Sequence, residues 1–135
     1  MKPQQAAAIP IRRRGDDLQV CLIRKRLAGS WGIPKGTVDS GHTHETTALN
    51  EAWEEAGIRG RLVGEALGTY SYEKYGRPLT VMVFAMEVLE YHKDWIEAGI
   101  RERKWASLEE AESLLIEHPV QGFLGRARRL FPVDA

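Results

Sequence analysis

Apolar residues along this chain follow two rhythms. In AAAIPI (6–11) and LQVCLIRK (18–25) they form short dense runs bounded by turn residues. Such runs predict buried strands, joined here by a turn at Gly15-Asp16-Asp17. RLVGEALGTYSYEK (61–74) and RPLTVMVFAMEVLE (77–90) predict two longer strands around Tyr75-Gly76-Arg77, and RERKWASL (101–108) a short one. Between these lies a different spacing. Ala48, Leu49, Ala52 and Ala56 recur every three or four residues, which predicts a helix with Thr43 as N-cap and Gly57 as C-cap. SLEEAESLLIEH (107–118) predicts an amphipathic helix opened by a Ser107–Glu110 capping box. VQGFLGRARRLF (120–131) predicts a last helix, weakened by Gly122 and Gly125. Gly29, Gly32, Pro34 and Gly36 break any regular element before the first helix. Helices and strands mix without βα alternation. The expected class is therefore α/β (α+β), a mixed sheet with helices packed on it, and not a doubly wound nucleotide fold.

Composition narrows the function. A length of 135 residues suits one domain, 1–135, and 43% hydrophobic with 28% charged residues allows a core and a solvated surface. The formal net charge is zero, so nothing argues for a nucleic-acid or membrane partner. Cys21 is the single cysteine and sits in an apolar run, where a buried free thiol is expected. The N-terminus, an interrupted apolar run followed by Arg12, Arg13 and Arg14, has the wrong order for a signal peptide. No apolar stretch nears the roughly 20 residues that cross a bilayer. A cytoplasmic protein is expected, as monomer or homodimer.

Glu51, Glu54 and Glu55 carry the first chemical signal. On a helix they project to one side, where like charges cost about 0.2–0.5 kcal/mol per pair. Acidic pairs on helices are often simply solvated, as expected for Glu109–Ser113. A hard divalent cation offers the alternative. Mg²⁺ takes oxygen ligands, keeps several waters and bridges to phosphates, and Mn²⁺ can substitute for it.

The spacing from Gly36 onward resembles the box of the Nudix family: Gly, five residues, Glu, seven residues, Arg-Glu, an apolar residue, any residue, Glu-Glu, any residue, Gly, and an apolar residue. Gly36, Glu51, Ala52, Glu54, Glu55, Gly57 and Ile58 fall in register. WGIPKG (31–36) is similar to the segment entering the box in diadenosine polyphosphate hydrolases. Residues 101–124 resemble the C-terminal part of diphosphoinositol polyphosphate phosphohydrolases. The resemblance implies a Nudix-type α/β/α sandwich and metal-assisted hydrolysis of a pyrophosphate bond. It implies metal ligands at Glu51, Glu54, Glu55 and the Gly36 carbonyl. The general base varies within the family. The candidates for catalysis here are Glu54 and Glu55 of the box and Glu97 on a later loop.

Two positions depart from the box. His42 stands where the family has Glu, and Asn50 where it has Arg. Losing both members of a charged pair strands neither, and a neutral His–Asn hydrogen bond is expected to replace it. The catalyst can survive this exchange. The alternative is a catalytically silent nucleotide-binding or regulatory module.

Basic residues point to the substrate. Lys35, next to Gly36, is expected at a phosphate, followed by Arg24 and Arg26, which share strand parity, and by Arg77 in its turn. Arg103 is a weaker candidate. Tyr70, Tyr72 and Tyr75 either stack a base or pack, and the four tryptophans read as packing. His118, within HPVQ (118–121), reads as a helix-end cap. The expected substrate is a small-molecule nucleotide or polyphosphate, first a dinucleoside polyphosphate, with a diphosphoinositol polyphosphate as the alternative.

Overall fold

A computed structural model describes residues 2–27 and 29–132. Six strands form one mixed sheet: β1 (Gln5–Arg14), β2 (Asp17–Lys25), β3 (Lys35–Thr37), β4 (Ile58–Lys74), β5 (Arg77–Tyr91) and β6 (Arg101–Ser107). Their order is β4-β5-β1-β2-β6, with β3 paired to β1. Only β1 and β5 run parallel; the other pairings are antiparallel.

The apolar run of β1 explains its central place. Residues 6–9 and Ile11 are fully buried, as a strand covered on both faces requires. Alternation then sorts the side chains. Ala7, Ile9 and Ile11 join Val20, Leu22, Val81 and Val83 on one face, against Leu108, Leu115, Val120 and Leu124 from the C-terminal helices. Ala6 and Ala8 join Cys21, Ile23, Phe84 and Met86 on the other. There they meet Ala48, Ala52 and Ala56 of helix α1 (His44–Ala56), whose small side chains let the helix lie close to the sheet. The result is the expected α/β/α sandwich. Burial pushes the Cys21 thiol up to about 12, so it behaves as a small core residue.

Helix α1 begins and ends as its sequence predicts. The Thr43 hydroxyl accepts from the Thr46 backbone N–H, and the Thr46 hydroxyl accepts from that of Thr43. Gly57 closes the helix at φ 67°, and a Cβ there would stand 2.7 Å from the Cβ of Trp95. The Arg103 guanidinium donates to the last helical carbonyl, that of Ala56, at 2.7 Å.

Three expectations change. First, β3 was not anticipated. Three residues after Pro34 have no periodicity of their own; they become a strand by pairing with Gln5, Ala6 and Ala7 of β1. Second, Ser107 caps helix α2 (Leu108–Leu114), but the box is half made: the Glu110 carboxylate pairs with Lys104 at 3.0 Å instead. Third, α2 ends before His118, and the last helix divides. Pro119–Phe123 is a 3₁₀ turn and α3 covers Leu124–Arg129. Pro119 holds His118 in an extended conformation (φ −95°, ψ 132°), so no helix passes through. Among the described residues, no helix is long and apolar enough to cross a membrane.

Candidate active site

The short strand β3 and helix α1 face each other, and their contact builds the site. A Cβ on Gly36 would collide with the Glu51 carboxyl group. Glycine therefore lets the carboxylate reach the β3 backbone. One turn further along α1, Glu55 is only 7% exposed. Its Oε1 accepts from the Lys35 backbone N–H at 2.9 Å, and its Oε2 from the Arg101 guanidinium at 2.7 Å. Arg101 also donates to Glu97 Oε1 at 2.9 Å. The Glu97 loop is docked on the end of α1: the Glu97 N–H donates to the Glu54 carbonyl, and Trp95 Nε1 to that of Glu55. Glu97 and the helix glutamates, 42 to 46 positions apart in sequence, thus share one acidic cluster.

The cluster carries an electrostatic load. Burial raises the Glu51 carboxyl to about 7, and the charges of Glu55, Glu54 and Glu97 add to the rise, against Arg101. Glu55 is also raised, again first by burial, with Arg101 and the Lys35 N–H pulling it back. Among the described residues, no three His, Cys, Asp or Glu side chains converge on one point. The donors are nonetheless of one chemical kind. They are carboxylate oxygens, crowded beside the charges of Arg101 and Lys35. That set fits a hard divalent cation, which needs few protein ligands and completes its shell with water.

His42 and Asn50 lie on the outer side of Glu51. With Thr37, Asp39, Thr47 and Glu54 they line a hollow of about 210 Å³. The expected hydrogen bond between them is not made among the described residues. Both are exposed, so each is satisfied by water without the other.

On the inner side, the acidic cluster opens into a cleft of about 420 Å³. Gly36 and Glu55 are in its wall. So are Arg24, Lys25, Lys35, Lys74 and Arg101, five cations against the one carboxylate of Glu55 among the described residues lining it. Lys35 Nζ donates to the Tyr72 hydroxyl at 3.1 Å, which donates to Gln5 at 2.7 Å. Arg24 lies over Trp31 at 4.5 Å and pairs with Glu102 at 3.2 Å.

The structure sorts the basic candidates. Lys35 and Arg24 reach the cleft. Arg26 does not, because β2 ends at Lys25 and strand parity no longer applies; its Nε donates to the Ala98 carbonyl. Arg77, at the β4–β5 hairpin, also lies outside, while Lys74 from the same hairpin lines it. Arg103 is held between Tyr91 and Trp95, each ring 3.8 Å away, and serves the helix end. Tyr70 packs against the core and Tyr75 is 94% exposed. Arg101 and Lys74 were not picked out from the sequence. For Arg101 the only local signal is the four-residue step from Glu97.

A NUDIX domain family model matches residues 2–124. Among curated relatives, Nudix hydrolase 4 of Arabidopsis thaliana is 33% identical over 99 residues, 72% of this chain and 47% of that protein. Diphosphoinositol polyphosphate phosphohydrolase 3-alpha of Mus musculus is 29% identical over 118 residues, 85% of this chain and 70% of that protein. The chain thus spans about half the length of the first of these relatives. A solved structure of C. elegans Ap4A hydrolase superposes with a TM-score of 0.74 at 23% identity, covering 97% of this chain and 98% of that one. At that identity the likeness speaks for the fold.

Proposed function

Since the chain belongs to the Nudix family, we propose that it hydrolyses a phosphoanhydride bond of a small polyphosphate, with Mg²⁺ as its cation. One observation carries the reading: the acidic cluster and the cation-lined cleft share a wall, through Lys35, Gly36, Glu55 and Arg101. A group that suits a metal and a group that suits phosphates are therefore side by side.

Glu51, Glu54 and the Gly36 carbonyl would hold the cation, joined by Glu55 where Arg101 releases it. When bound, the cation would neutralise phosphoryl oxygens and lower the pKa of the attacking water. The chain's own residues do the rest. Lys35 and Arg24 bind phosphoryl oxygens and orient the anhydride in the cleft. Glu97 accepts the proton of the water: Arg101 fixes it through Oε1, and Oε2 has no partner among the described residues. Glu54 and Glu55 are the other bases to test.

The cleft favours a densely phosphorylated substrate. Its cations outnumber its carboxylate, while the nearby aromatic rings are engaged: Trp31 carries Arg24 and Tyr72 carries Lys35. A diphosphoinositol polyphosphate uses such a surface more fully than a dinucleoside polyphosphate, which gains from free rings for stacking. The test is phosphate release from both compound classes, with and without Mg²⁺, in wild type, Glu54→Gln and Glu55→Gln. We expect Mg²⁺-dependent release, and a loss of about 100-fold or more in each folded variant. Equal turnover in all three proteins would sink the reading. Binding without turnover would leave the silent module.

A further inference from the structure

His118 is accounted for only as a cap, yet its ring also lines the cleft. Its Nδ1 accepts the Val120 backbone N–H at 3.0 Å. A backbone N–H can only donate, so Nδ1 carries no proton and the neutral ring has its proton on Nε2. Nε2 is turned away from the cap, toward Gly32: a Cβ on Gly32 would stand 3.5 Å from it. No hydrogen-bond partner meets Nε2 among the described residues. The ring is half-buried, its edge set against Tyr70 at 5.8 Å and 74°. Burial and the nearby Lys35 charge both disfavour a second proton.

We infer that His118 is a substrate-binding residue that donates a neutral hydrogen bond from Nε2 to a phosphoryl oxygen of the substrate. The inference rests on the reading of the cleft as a polyphosphate site. A donor with no acceptor at that position suits an oxygen and not another N–H. The cap holds the ring before substrate arrives, so no rotamer freedom is lost on binding. A neutral donor also adds recognition without another cation among Arg24, Lys25, Lys35, Lys74 and Arg101, whose mutual repulsion a sixth charge would increase. Glycine at position 32 keeps the approach to Nε2 open.

Two variants separate this role from capping. His118→Asn keeps a side-chain acceptor for the Val120 N–H but lacks the far donor. Gly32→Ala leaves His118 and its cap in place and sets a methyl group at the mouth of the donor. The probes are inorganic tripolyphosphate, by calorimetry, and steady-state kinetics on the best compound of the substrate panel. We expect His118→Asn to melt like wild type, to bind tripolyphosphate about tenfold more weakly and to raise KM by a similar factor, with kcat nearly unchanged. Gly32→Ala should weaken binding several-fold, and adding it to His118→Asn should cost little more. Wild-type affinity in both single variants overturns the inference and leaves a cap alone. If His118→Asn fails to fold, Gly32→Ala decides. Failure of wild type to bind tripolyphosphate would overturn the polyphosphate cleft itself, and this role with it.

Discussion

Glu51 concentrates the physics of the site in one residue. Its folded-state carboxyl titrates near 7, above the ordinary value of 4.5, because burial and three neighbouring carboxylates disfavour its charge. The folded state therefore holds this proton more tightly than the unfolded chain. The metal-free protein loses stability through Glu51 as pH rises from about 4.5 to about 7, and is free of that loss below 4.5. Solvent screens a half-exposed group, so the effect is on the order of 1 kcal/mol. Denaturant melts in EDTA at pH 5 and pH 8 measure it. The drop between the two should shrink in Glu51→Gln by about that amount, and Mg²⁺ at pH 8 should restore wild type but not the variant. An unchanged drop in Glu51→Gln would remove the residue from the acidic cluster. Sequence reasoning found Glu51 through its spacing to Gly36, but not its perturbation. That depends on Glu97, 46 positions away, which spacing along a helix does not bring near.

At the scale of elements, Arg101 joins three pieces that sequence keeps apart: the start of β6, the Glu97 loop and the end of α1. Its side chain is 19% exposed and that of Glu55 10%, so the pair is largely withdrawn from water. Removing Arg101 leaves a nearly buried carboxylate offset only by the Lys35 N–H and the Lys35 charge. Arg101→Ala should destabilise the metal-free protein by about 2–3 kcal/mol. Lys35 and a bound divalent cation are then the countercharges left to Glu55. The rise in Tm on adding Mg²⁺ should be larger in Arg101→Ala than in wild type, as differential scanning fluorimetry would record. An equal or smaller rise would show that Arg101 and the cation do not share Glu55. The helix bearing these acids was legible, caps included, because Thr43, Thr46 and Gly57 act within a few residues of one another. The split C-terminal helix and β3 were not, because both depend on what packs or pairs with them.

Over the whole molecule, a net charge of zero conceals a segregated surface. Five cations line the cleft, and the carboxylates of Glu51, Glu54, Glu55 and Glu97 cluster beside it. Attraction of a polyanion to such a cleft is screened by salt, with a Debye length near 10 Å at 0.1 M. Raising NaCl from about 50 mM to 500 mM should raise KM for a polyphosphate at least several-fold, while kcat changes much less. A KM indifferent to salt would argue that the cleft cations do not meet the substrate.

What the sequence by itself determined is the local part: the strand runs, the capped helix, and the three glutamates and two glycines of the box in register. Each depends on contacts within a few residues, so periodicity and spacing suffice. Tertiary structure decided the rest. It brought Lys35 and Arg24 to the cleft and left Arg26 and Arg77 outside it. It placed Glu97 beside Glu55, and turned a capping histidine so that its free nitrogen faces the same space. These depend on where a strand ends, how β3 pairs with β1 and how a loop docks on a helix. All three are settled by burial and pairing between segments far apart in the chain.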